Sequence, residues 1–176
     1  MMRIGYGYDS HRFDASRPLI LGGVSIPGAP GLKGHSDADV LIHAVIDALL
    51  GAAALGDIGS HFPDDDPRWS GADSARLLES VVEEIHSADY RVVNVDATVV
   101  CERPKLRPYI DEMRRRLSEL LKIPMDCVSV KGKTNEKMDA VGEGIGIMVH
   151  CVALLERTGE SGRDKVLSSN GHGESI

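Results

Sequence analysis

RVVNVDATVVC, residues 91–101, alternates apolar and polar side chains in step. Val93, Val95, Ala97, Val99 and Cys101 fall on one side, and Asn94, Asp96 and Thr98 on the other. A two-residue period with one apolar side is the mark of a strand buried on a single face. The stretch therefore predicts a sheet whose helices lie over one face, leaving the other to be covered differently. Working outward, SARLLESVVEEIHSADY (74–90) carries Leu78, Val81, Val82 and Ile85 at helical spacing, and Ile110, Met113, Leu117 and Leu120 repeat that pattern after Pro108. SDADVLIHAVIDALLGAAALG (36–56) is the clearest helix: Leu41, Ala44, Val45, Ala48, Leu49 and Ala52 form its stripe. Ser36 reads as its N-cap, Asp39 as the capping-box partner, and Gly56 as its stop.

MRIGYGY (2–8), PLILGGVSIPG with its Gly22-Gly23 turn, DCVSVKG and GIGIMVHCVALLER read as further strands. The sum is a small two-layer α/β sandwich with a mostly four-stranded, ferredoxin-like sheet under helices. Residues 1–157 read as a single domain, and the small polar residues of 158–176 predict a disordered tail. The uncovered sheet face is expected to carry Val92, Val100, Ile147 and Val149, and association of several copies would bury it.

Bulk properties narrow the function. A chain of 176 residues with net charge -7 is unsuited to unaided nucleic-acid binding. An anionic substrate would need metal ions and local lysines to offset that field. No apolar run is long enough to span a membrane, and MMRIGYGYD lacks the sections of a signal peptide. Cys101, Cys127 and Cys151 are odd in number and widely spaced, which fits a reducing cytoplasm better than a disulfide framework.

Several groups carry chemistry. In GYGYDSHRF (5–13), Asp9 and His11 are two residues apart and share a strand side. His43 lies on the long helix, and Asp9, His11 and His43 together make an N/O donor set of the catalytic-zinc type. Read singly, the same residues are a solvated strand end and a packed helical histidine. His35 and Ser36 sit at the helix entry, where free N–H groups and the dipole favour an anion, or else are a loop residue and a cap. Asp57 and the acidic loop after it can accept bonds from hydroxyls, or are a solvated turn. KGKTNEK (131–137) places lysines, Thr134 and Glu136 after a strand, a carboxylate suited to a hard ion such as magnesium.

In order, GYGYDSHRF, LILGGVSIP, GLKGHSDADVLIHAVIDALLGAAALGDIGSHFPDDDP, GADSARLL, NVDATVVCERPKLRP and VSVKGKTNEK resemble the 2-C-methyl-D-erythritol 2,4-cyclodiphosphate synthases, enzymes of the non-mevalonate isoprenoid pathway. The resemblance runs from about Met2 to Glu156. It implies a homotrimer with sheets packed around its axis and active sites between subunits. It implies zinc on Asp9, His11 and His43, and magnesium or manganese on Glu136 with the substrate diphosphate. His35 and Thr134 then stabilise the transition state and Ser36 holds phosphate. Asp57, Ile58, Gly59, Phe62, Pro63, Asp64, Asp65 and Asp66 form the methylerythritol pocket. Cys101, Glu102, Arg103, Pro104, Lys105, Leu106 and Arg107, with Gly132 and Lys133, form the cytidine wall from a neighbouring subunit, and Asn135 joins the substrate-binding set. Departures are Ala38 at a usual glycine, harmless at a helix start, Lys133 for a commoner threonine, and Ala140 and Glu143 where relatives carry an aromatic and an arginine. Two rivals remain: a phosphohydrolase on the same scaffold, and a non-catalytic trimeric nucleotide-binding module.

Overall fold

The computed structural model describes residues 1–158, so the tail expected to be disordered lies, from 159 on, outside the described residues. Five strands form one mixed sheet in the order β2-β1-β5-β3-β4: β1 (Met2–Leu21), β2 (Val24–Leu32), β3 (Tyr90–Val100), β4 (Val128–Lys133) and β5 (Gly146–Arg157). Only β3 and β4 run parallel. The expected four strands are thus corrected to five. The reason lies in β1, whose first half pairs with β5 from Met2 to Arg12 and whose second half turns into a hairpin with β2. The polar stretch SHRFDAS joins the halves. It lacks apolar alternation, and its strand character comes from the neighbouring ladders alone.

Among the described residues the α-helices are α1 (Val40–Ala53), α2 (Ile58–His61), α3 (Ser74–Ser87), α4 (Ile110–Leu121) and α5 (Asp139–Gly142), with short 3-10 turns between elements. The central α1 is buried almost all round and lies on β1 and β5. It begins three residues later than the Ser36 reading placed it, with the cap at Asp39. Asp39 is the N-cap, accepting from the Leu41 and Ile42 amides and also from Gly22 and Gly23 in the hairpin turn. The helix ends at Ala53, with Ala54 in the left-handed conformation, and not at Gly56. Ala38 stands outside the helix at φ 61, so its side chain sits where glycine would be unstrained; the expectation that it is harmless is corrected.

A bulge between Val92 and Asn94 shifts the alternation of β3. Val92 is therefore core and Val93 half-buried, the reverse of the expected phase, while Val95, Ala97 and Val99 face the helices as read. Ile147 and Val149 also belong to the core, 1% and 0% exposed. Of the four residues assigned to the open face, only Val100 is not buried. That face instead presents Ile4, Tyr6, Tyr8 and Val152, with Ile4 74% exposed. Next to them the Tyr6 hydroxyl meets His150 Nδ1 at 2.8 Å.

Two glycines set the layer spacing. A Cβ on Gly5 would lie 1.9 Å from the Ala48 carbonyl oxygen, and one on Gly7 2.0 Å from that of Ala44. Glycine there, with Ala44, Ala48 and Ala52 opposite, lets the α1 backbone rest directly on β1.

Candidate functional site

Following β1 past Gly5 and Gly7, the next inward-facing residues are Asp9 and His11, while α1 runs back past Ala48 and Ala44 to His43. The close approach of strand and helix thus delivers the three side chains to one point. Asp9 Oδ2 is 3.0 Å from His11 Nε2 and 3.0 Å from His43 Nδ1, and the two nitrogens are 3.3 Å apart. Four ligands at about 2.0 Å from a tetrahedral ion are separated by about 3.3 Å, so this triangle has the size of three corners of such a site. The three residues can hold a metal ion.

The surrounding bonds fix which ring atoms face the centre. His11 Nδ1 lies 2.7 Å from the Lys33 carbonyl oxygen, which only accepts, so that nitrogen carries the proton and Nε2 offers a lone pair. The Ser74 hydroxyl donates to Asp37, leaving its oxygen to accept from His43 Nε2 at 2.9 Å. Nδ1 of the neutral His43 ring therefore also turns a lone pair inward. Two imidazole lone pairs and a carboxylate oxygen converge on one another, an arrangement that demands a cation. The charges respond accordingly. Burial would raise the Asp9 carboxyl, but whenever a proton takes the cation's place between the rings, the carboxylate's bonds to His11 and His43 outweigh burial and hold it well below the usual range. Burial would lower His11, and Asp9 reverses the sign. Ser74, Asp37 and the Lys33 carbonyl are the residues sequence reasoning missed. Ser74 lies within GADSARLL, but nothing local links it to a histidine on another helix.

The centre opens into a cleft of about 190 Å³ that also takes in His35, Ser36, Ile58, Gly59, Phe62 and Asp64, with Trp69 and Leu77 as unforeseen walls. The Trp69 indole N–H is buried without a partner among the described residues. His35 Nε2 lies 3.3 Å from the Asp66 carbonyl oxygen, and Arg17 donates to the carbonyls of Gly34 and Ser36 on either side of His35. Ser36 does not cap α1. Its oxygen accepts the Ala38 amide at 3.1 Å and lies 3.1 Å from His43 Nε2. Because Asp39 takes the first amides of α1, the anion site expected at that helix end is already filled by a carboxylate. Asp57 caps α2 through the Ser60 amide and hydroxyl, and these bonds lower its carboxyl. Asp47 of α1 ties this segment down by accepting the Ile58 amide at 2.8 Å. Asp66 pairs with Arg68 and caps the turn after it; Pro63, Asp65 and Asp66 do not line the cleft.

The remaining predicted residues gather elsewhere. Cys101, Glu102, Pro104, Lys105, Leu106 and Arg107 face Gly132, Lys133 and Thr134 across a groove of about 420 Å³. Arg103 borders an adjoining hollow with Lys137 and Glu143. The Cys101 thiol, pushed up to about 11 by burial, donates to the Arg103 carbonyl and is no nucleophile. Thr134 donates to Glu136, and Asn135 bonds Met138 and Asp139. The groove and the metal-type cleft share no lining residue within one chain.

The comparisons with known proteins agree with this layout. A family model described as the YgbB family matches residues 2–156. The 2-C-methyl-D-erythritol 2,4-cyclodiphosphate synthase of Brachyspira hyodysenteriae is 59% identical over 157 residues, covering 89% of this chain and 99% of its own. That of Salinibacter ruber is 59% identical over 155 residues, covering 88% and 99%. A solved 2C-methyl-D-erythritol-2,4-cyclodiphosphate synthase in its CDP-bound form superposes with a TM-score of 0.81 at 38% identity, covering 88% of this chain and 100% of that one. With a family model matched from residue 2 to residue 156 and relatives 59% identical over nearly their whole length, the chain belongs to the YgbB family.

Proposed function

We propose that this chain converts 4-diphosphocytidyl-2-C-methyl-D-erythritol 2-phosphate into 2-C-methyl-D-erythritol 2,4-cyclodiphosphate and CMP, as a phosphorus–oxygen lyase of the non-mevalonate isoprenoid pathway. The observation that carries this reading is the convergence of Asp9 Oδ2, His11 Nε2 and His43 Nδ1 with every proton turned outward. The substrate is polyanionic, and its 2-phosphate must approach its own β-phosphorus. An oxygen of the 2-phosphate bonds to that phosphorus while the bond to the bridging oxygen breaks, and CMP leaves with that oxygen and its electron pair. Zinc on the three ligands, and magnesium or manganese on Glu136, would polarise the diphosphate and offset its charge. No protein nucleophile is required.

The chain's own groups supply orientation. His35 and Thr134 face the phosphates, Ser36 assists, and the Asp57–Gly59 and Phe62–Asp66 segments hold the methylerythritol hydroxyls. The Cys101–Arg107 and Gly132–Asn135 wall takes the cytidine. Since cleft and wall are separate within one chain, the complete site forms between neighbouring subunits, in a homotrimer whose sheets meet through Ile4, Tyr6, Tyr8 and Val152. We assign the catalytic unit to residues 1–157 and the protein to the cytoplasm, with neither membrane nor nucleic acid as partner. No helix among the described residues is long and apolar enough to cross a membrane.

The test is to incubate the metal-loaded protein with the diphosphocytidyl substrate and resolve the products. CMP in equal amount with a cyclic diphosphate supports the proposal. Release of orthophosphate marks a phosphohydrolase, and binding without turnover marks a nucleotide-binding module.

A further inference from the structure

The segment after β4 is held in a conformation its residues do not favour. Glu136, Lys137 and Asp139 have φ of 51, 62 and 57°, three side-chain-bearing residues in the left-handed region within four positions. Backbone of this kind persists only where its surroundings over-determine it. Most of the local bonds move with the loop: Asn135 Nδ2 donates to the Met138 carbonyl at 3.0 Å and to Asp139 at 2.7 Å, and Asp139 accepts the Val141 amide at 2.8 Å. Among the described residues, one side chain from another segment reaches this backbone. Glu102 Oε1 accepts the Asn135 amide at 2.8 Å and the Lys137 amide at 3.3 Å. Glu102 itself stands on a fixed base, since the preceding Cys101 amide donates to the Lys133 carbonyl at 2.8 Å.

We infer that Glu102 is a positioning residue: its carboxylate grips the amides on either side of Glu136 and so fixes the direction of Glu136 and Thr134. The inference rests on the proposed function for the roles of those two residues, and it changes the role of Glu102 from a wall contact to a brace. An oxygen accepting two amides is what the geometry uses, so the acceptor matters and the charge does not.

The experiment compares Glu102→Ala, Glu102→Met and Glu102→Gln in the full chain. Amide hydrogen exchange over residues 134–138 is read first, because it needs no turnover, with α1 as the internal control for folding. Faster exchange of the Asn135 and Lys137 amides is expected in the Ala and Met variants and near-native exchange in Gln. With substrate, Ala and Met should lose about 10- to 100-fold in kcat, as small misplacements of reacting groups do. KM should stay within about threefold and the magnesium concentration for half-maximal rate should rise. Gln should restore kcat to within about fivefold of the native enzyme. Unchanged exchange in Ala and Met, a rise in KM alone, or equal damage in Gln and Met overturns the inference. If the native protein releases no CMP, the proposed function fails, while the exchange arm still decides whether Glu102 holds the loop.

Discussion

Replacing Gly7 with alanine should damage the metal centre without touching any of its ligands. The new Cβ would lie 2.0 Å from the Ala44 carbonyl oxygen and 2.6 Å from the Ala48 nitrogen, both backbone atoms of α1 that no rotamer change can move aside. Ordinary contact begins at 3.4 Å, so the helix must retreat by about 1.4 Å or the strand must bend. Overpacking of this size costs about 3 kcal/mol, a fall of about 6–12 °C in Tm for a domain of this length. His43 follows Ala44 away from Asp9. A zinc ligand tolerates about 0.2 Å, so zinc affinity should drop on the order of 100-fold. Thermal unfolding of the metal-free protein and competition with a chromophoric chelator measure the two effects separately. Gly51→Ala is the control. Its Cβ meets only the Tyr6 carbonyl oxygen at 3.8 Å, and added helix propensity should stabilise by up to about 1 kcal/mol. A Gly7→Ala protein with native Tm and native zinc affinity would refute the claim that close backbone approach assembles the site.

Other consequences follow from the same geometry. His43→Ala should abolish turnover and leave less than one zinc per chain while circular dichroism stays native; retained zinc and activity would remove it from the ligand set. Ser74→Ala frees His43 to adopt the other tautomer and should weaken zinc by about 10- to 100-fold, whereas Ser74→Thr should keep most of the affinity; equal zinc binding in all three would refute the outward-proton scheme. Solution scattering should report a trimer, since Ile4, Tyr6, Tyr8 and Val152 form an apolar face, and an active monomer would contradict it. By the family resemblance, Glu143 takes the place of an arginine beside a trimer-axis cavity that holds isoprenoid diphosphates in relatives, so native mass spectrometry should detect no geranyl diphosphate retained by the assembly; one ligand held per trimer would show that charge reversal there is irrelevant.

Much of the fold was legible because its signals are local. The 3.6-residue stripes of α1, α3 and α4 and the two-residue period of β3 from Val95 to Val99 depend only on which neighbours along the chain are apolar. Asp9 and His11 facing the same way follows from the strand period in the same manner. The errors arose where a second segment intervenes. Asp39 displaced Ser36 as the cap because it also satisfies the hairpin amides of Gly22 and Gly23, which no reading of 36–56 contains. The bulge at Val92–Asn94 reversed the phase of one strand end and sent Val92 inward. The stretch SHRFDAS that joins the two halves of β1 is polar and became a strand only because β5 and β2 supply its ladders.

The sequence by itself determined the donor types, the helix and strand that carry them, and the family motifs in order. Only the tertiary structure decided that His43 meets Asp9 and His11, because that meeting depends on how closely two backbones can approach. Gly5 and Gly7 read as a weak strand until Ala44 and Ala48 are seen pressed against them. The same holds for the proton positions, which Lys33 and Ser74 impose from segments distant in sequence. A side chain's period is a property of one segment, whereas a ligand triangle with 3.0–3.3 Å edges is a property of several segments packed together.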